Sequence, residues 1–106
     1  SAVHRKLTYE QIMDGIGDKL TIAELANTVN LSPHHFAKMF KLSFGESPAS
    51  FINWVRIEKV KALLKSNISL AELSAQLGFT HQSHMTQAFK RMLGVTPAGY
   101  RTLIKG

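Results

Sequence analysis

The sequence predicts an all-α fold of seven helices: two helix-turn-helix subdomains, residues 8–46 and 67–106, joined by a long linker helix over residues 47–66 of a single 106-residue domain. Three observations predict it. The chain repeats itself, Thr21-Ile-Ala-Glu-Leu-Ala26 recurring as Ser69-Leu-Ala-Glu-Leu-Ser74 after 48 positions, and internal repeats report repeated architecture. Each copy opens with a helix-start pattern and continues with apolar residues at helical spacing. Between the copies lies an 18-residue stretch, residues 48–65, whose apolar residues ring it on several sides, as suits a helix packed against both halves.

The first helix is expected over Tyr9–Ile16, where Ile12, Met13 and Ile16 keep helical spacing and Gly15 and Gly17 weaken the end. In the first copy Thr21 and Glu24 form a capping box, and Ser69 and Glu72 repeat it in the second. Ile22, Leu25, Ala26 and Val29 supply one buried face; Leu70, Leu73, Ser74 and Leu77 are their counterparts, with one polar substitution. Asn30 and Gly78 follow, both residue types that tolerate the left-handed conformation with which a helix stops sharply. Ser32-Pro33 then starts a second helix, serine as cap and proline at the first helical position. Thr80 is the equivalent cap in the second copy. Farther on the displacement grows to 49, Phe40-Lys41 recurring as Phe89-Lys90, Gly45 as Gly94 and Pro48 as Pro97. One residue is therefore inserted in the second copy between Phe79 and Met85.

These second helices divide their residues. In the first, Phe36, Met39 and Phe40 are expected inward, leaving His34, His35, Lys38 and Lys41 outside. In the second, Met85, Ala88, Phe89 and Met92 are expected inward, leaving Gln82, Ser83, Thr86, Gln87 and Lys90. The linker helix, Pro48–Lys65 with Ser47 as cap, buries Trp54 with its aliphatic neighbours. A last helix, capped by Thr96, runs from Pro97 to about Leu103.

Composition narrows the function. At 44% apolar the chain can build a core, and disorder is excluded. There is no cysteine, hence no disulfide, thiolate chemistry or cysteine-ligated zinc. No apolar run approaches a membrane span and no signal-peptide pattern opens the chain, so a cytoplasmic location is expected and no membrane partner. The first residue is Ser rather than Met, which suggests a fragment or a processed chain and leaves room for a missing partner domain. Thirteen Lys and Arg against seven Asp and Glu give a net charge of +6, which favours a polyanion whose counterions are released on binding. The basic residues sit inside predicted helices rather than in a tail.

Catalysis finds no support: there is no glycine-rich phosphate loop, no paired carboxylates in a shared motif and no nucleophile beside a base. His81-x-x-His84 and His34-His35 could share a metal, but neither helix carries an Asp or Glu to complete a site, and no cofactor is called for. A helical module docking an acidic protein is the rival. Against it stands the joint position of the outward residues on equivalent helices of a repeat, held across a partner helix by a tight turn, which is how side chains are presented to a major groove. An 18-residue helix is about 27 Å long. With part of a helix width at each end, the two presenting helices would stand roughly one turn of B-DNA apart, about 34 Å.

The residues Ile22-Ala-Glu-Leu-Ala, Leu31-Ser-Pro-His-His-Phe, Gly45-Glu-Ser-Pro, Gly78-Phe79, Phe89-Lys90-Arg91 and Gly94-Val-Thr-Pro-Ala-Gly-Tyr-Arg101 resemble the AraC/XylS family of transcription regulators across roughly residues 9–103. The resemblance implies a promoter-binding domain, usually the C-terminal part of a ligand-responsive activator. It places His34, Ala37 and Lys38 of the first reading helix, and His81, Gln82, Ser83 and Gln87 of the second, against bases. It places Ser32, Lys41, Arg56, Thr80 and Lys90 against phosphates. Double-stranded promoter DNA is the expected partner. The resemblance also allows RNA polymerase, and an N-terminal effector or dimerisation domain outside this sequence; the domain alone is expected to be monomeric. Two unlike reading faces predict an asymmetric target.

Overall fold

The computed structural model describes residues 2–106 and contains, among them, seven helices and no strand. They are α1 (Ala2–Asp14), α2 (Ile22–Thr28), α3 (Pro33–Phe44), α4 (Pro48–Leu63), α5 (Leu70–Gln76), α6 (Gln82–Leu93) and α7 (Pro97–Lys105). The chain divides into two compact units, one through Ile52 and the other from Asn53, so the division falls inside α4.

In the first unit α2 packs on α3 and α1 on α2. Ile12, Leu25, Ala26, Val29, Phe36 and Phe40 are buried. An aromatic chain extends this core: Phe36 to Phe40 at 5.8 Å, Phe40 stacked on Phe44 at 4.2 Å, and Phe51 edge-on to Phe40 at 5.6 Å. In the second unit Ile57, Val60 and Leu64 of α4 and its end join Leu73, Leu77, Phe79, Met85, Ala88 and Phe89 in one buried cluster. Tyr100 of α7 adds its ring edge-on to Phe89 at 5.6 Å.

The repeat is realised hydrogen bond by hydrogen bond. The hydroxyls of Thr21 and Ser69 accept from the amides of Glu24 and Glu72, each at 3.1 Å, which forms the forward half of both capping boxes. Both turns then close as Schellman motifs. The Leu31 amide donates to Ala26 O at 3.0 Å and the Asn30 amide to Asn27 O at 3.1 Å. Phe79 to Ser74 O at 3.1 Å and Gly78 to Ala75 O at 3.3 Å repeat the pattern. Such a closure requires a left-handed residue, and Asn30 (φ 58°) and Gly78 (φ 78°) supply it.

Several expectations are corrected. α1 begins at Ala2, well before Tyr9, and ends at Asp14, with Ile16 buried beyond it. Its early turns bury only Thr8 and leave Val3 and Leu7 exposed, so no core-facing stripe extends through them. α4 ends at Leu63, because Ser66 terminates it: its hydroxyl donates to Leu63 O at 2.7 Å. The inserted residue lies in the second turn, where α6 takes His81 rather than Thr80 as its cap, with no side-chain capping bond. Trp54 is 47% exposed rather than core. It lies on the same helix face as the half-buried Glu58 and Lys61, four and seven residues on. Met39 and Met92, also expected inward, are exposed at the margins of their helices.

Candidate nucleic-acid interface

The helix period aligns residues four and seven apart on one face. On α3 the stripe opposite Phe36 and Phe40 is His34, Lys38 and Lys41; on α6 the stripe opposite Met85 and Phe89 is Ser83, Gln87 and Lys90. All six are exposed. The 49-residue displacement maps one triplet onto the other. Each unit thus holds out the same three helical positions, and each fills them differently.

Other expected residues fall around these stripes. Ala37 is half-buried at the edge of the α3 face. Ser32 is exposed and is the α3 cap, its hydroxyl accepting from the His35 amide at 3.2 Å. Thr80, His81 and Gln82 are exposed at the entry to α6. Arg56 is different: half-buried on α4, it lays its guanidinium over the Phe79 ring at 5.9 Å. Its desolvation there lowers its pKa from the ordinary guanidinium value. The same Phe79 ring receives His84 edge-on at 5.3 Å. Arg56 and His84 therefore brace the second turn from two elements.

The electrostatics favour an anion. Glu24 and Glu72 stand in the first turns of α2 and α5, whereas α3 and α6 have no acid in theirs. The positive ends of the two outward helices are thus left uncompensated. Lys41 and the pair Lys90 and Arg91 sit in the last turns, where cations suit the helix dipole as well as an outside phosphate. Among the described residues no group of three or more histidines or carboxylates is placed to hold a metal ion. Among these residues no helix is long and apolar enough to cross a membrane.

Sequence reasoning missed three residues. Arg91 is exposed one turn beyond Gln87 on the outward face of α6, and Leu42 occupies the equivalent place beyond Lys38 on α3. Both could have been found by extending the stripe one further turn. Arg101 is the third. Its guanidinium donates from Nε to Leu64 O at 3.2 Å and from Nη2 to Ile68 O at 2.7 Å, which clamps α7 to the end of α4 and the segment before α5. Lys105 adds a bond to Asn67 Oδ1 at 2.5 Å. No local pattern signals such a clamp, because its partners are backbone carbonyls 33 and 37 residues away.

Residues 25–102 match a family described as "Helix-turn-helix domain". The regulator MtrA of Neisseria gonorrhoeae is 32% identical over 93 residues, which cover 87% of this chain and 31% of that protein. A putative AraC-like transcription regulator of Streptomyces lividans is 35% identical over 82 residues, 76% of this chain and 27% of that protein. The chain thus spans about a third of the length of these relatives. Among solved structures, the DNA-binding domain of the transcriptional factor AdpA, in complex with a target DNA, superposes with a TM-score of 0.90 at 23% identity, covering 94% of this chain and 91% of that one. The fold is shared with it. The family match over residues 25–102, together with the AraC-like relatives, shows that this chain belongs to the AraC/XylS family of helix-turn-helix domains.

Proposed function

We propose that the domain binds double-stranded promoter DNA sequence-specifically to regulate transcription, with α3 and α6 as reading helices in successive major grooves. The observation that carries this reading is the repeated outward triplet, His34, Lys38 and Lys41 against Ser83, Gln87 and Lys90, on two acid-free helix faces. That AdpA's domain of the same fold was solved on its target DNA supports it. His34 and Lys38 read bases from the first head, with Ala37 close enough to the face to meet a thymine methyl. His81, Gln82, Ser83 and Gln87 read from the second, where glutamine can pair bidentately with adenine. Ser32, Lys41, Thr80 and Lys90 hold the phosphates that set the register. Arg56 braces the turn through Phe79 and reaches the backbone with its exposed edge.

Because the two triplets differ, the target is asymmetric and one copy of the domain suffices to read it. In the full-length protein the domain works under a further effector or dimerisation domain in the bacterial cytoplasm, and the bound regulator touches RNA polymerase. Selection of bound duplexes from a random pool tests the core of this reading. The selected sequence should compete better than random duplex by roughly 10³-fold or more at physiological salt. A non-palindromic consensus with two elements about one helical turn apart is the expected product. Equal binding of selected and random duplex would leave only a basic surface.

A further inference from the structure

The most exposed large apolar side chain among the described residues is Leu42, at 74%. It does not lie on a neutral flank. It stands eight residues after His34 and four after Lys38, continuing the stripe that faces away from the buried Phe36 and Phe40. The fold does not demand an apolar residue there, since the repeat places exposed Arg91 at the equivalent position of α6. A leucine among cations and imidazoles, facing a polyanion, gains from binding only where it meets an apolar group. In the major groove the base edges offer one such group, the 5-methyl of thymine.

We propose that Leu42 is a specificity-determining residue of the first head, reading the 5-methyl group of one thymine. This rests on the DNA-binding reading above and deepens it. Lys38 and Lys41 fix the helix over the phosphates and polar edges, and Leu42 then selects thymine over cytosine, which lacks the methyl at the same carbon. The second head, with Arg91 in that place, makes a charged contact instead, so the two heads differ in chemical kind at this register and not only in detail.

The experiment uses the selected duplex, with each thymine replaced in turn by deoxyuridine, which removes the methyl and nothing else. The unmodified domain should lose about three- to fivefold in affinity at one thymine of the first head's half-site, the scale of one buried methyl. Leu42→Ala should bind the unmodified duplex more weakly by a similar factor and be indifferent to deoxyuridine at that position. Sensitivity at other thymines should persist. Leu42→Met, which retains an apolar tip, should keep most of the methyl dependence. Because Leu42 is 74% exposed, both variants should melt with the parent, which separates reading from folding. An Ala variant with an unchanged deoxyuridine profile overturns the proposal, as does a parent profile with no methyl dependence in that half-site. A parent that fails to prefer the selected duplex over random DNA overturns the DNA-binding reading itself, and this proposal with it.

Discussion

Replacing Arg101 by Met removes a clamp while keeping most of the side chain's bulk. The guanidinium makes two hydrogen bonds to carbonyl oxygens, one at 2.7 Å to Ile68 and one at 3.2 Å to Leu64. Hydrogen bonds to a charged partner contribute about 1.5–3 kcal/mol each when desolvated. Arg101 is only half-buried and its Nε bond is long, so water recovers part of the loss, and about 2–3 kcal/mol in total is expected. The effect should concentrate in the second unit, since α7 holds α6 through Tyr100 against Phe89. For a domain of this size that is roughly 8–20 °C in melting temperature. Thermal unfolding followed by far-ultraviolet circular dichroism, with urea titration at 25 °C, measures both quantities. Arg101→Lys should fall between, because an ammonium keeps the charge but cannot span both carbonyls with one fork. A Met variant within about 0.5 kcal/mol of the parent would refute the clamp as a stabilising element, since surface substitutions commonly cost no more than that.

Further outcomes follow from the turns and the outward faces. Gly78 at φ 78° should accept Asn with little change, since Asn30 fills that place in the first turn, whereas Gly78→Val should cost about 1–2 kcal/mol or more; indistinguishable melting of the two variants would contradict the Schellman assignment. Lys41→Ala and Lys90→Ala should weaken binding to all duplexes alike and reduce the salt dependence of log K by about 0.9 each, read by fluorescence anisotropy at several salt concentrations. Lys38→Ala and Gln82→Ala should cost on the order of 1–3 kcal/mol on the selected site and less on random DNA. Equal losses on both would assign these two residues to the backbone instead.

Much of this domain was legible in order along the chain, and the legible parts share a reason. Caps, Schellman turns and buried stripes are made by residues within one or two turns of each other, so Thr21 with Glu24, Ser69 with Glu72, and Asn30 and Gly78 announce themselves by type and spacing. The outward triplets were legible too, once the repeat showed which helices were equivalent. Other features were decided elsewhere. Nothing near residues 2–8 reports that α1 starts there, because only Thr8 among them is buried. Thr80 is the cap that the repeat suggests, and α6 starts one residue later, from His81, because the inserted residue falls in the turn before it.

The sequence by itself determined seven helical elements, their repeat and the register of the faces they turn outward, because these depend on periodicity and local hydrogen bonding. Tertiary structure decided which apolar residues are spared from the core. Trp54, Met39, Met92 and Leu42 look alike to composition, but each unit has a limited interior, and residues whose helical angle misses it stay in water. It also decided that Arg101 is a clamp rather than another surface cation, because the carbonyls it joins meet only when α4, α5 and α7 have packed.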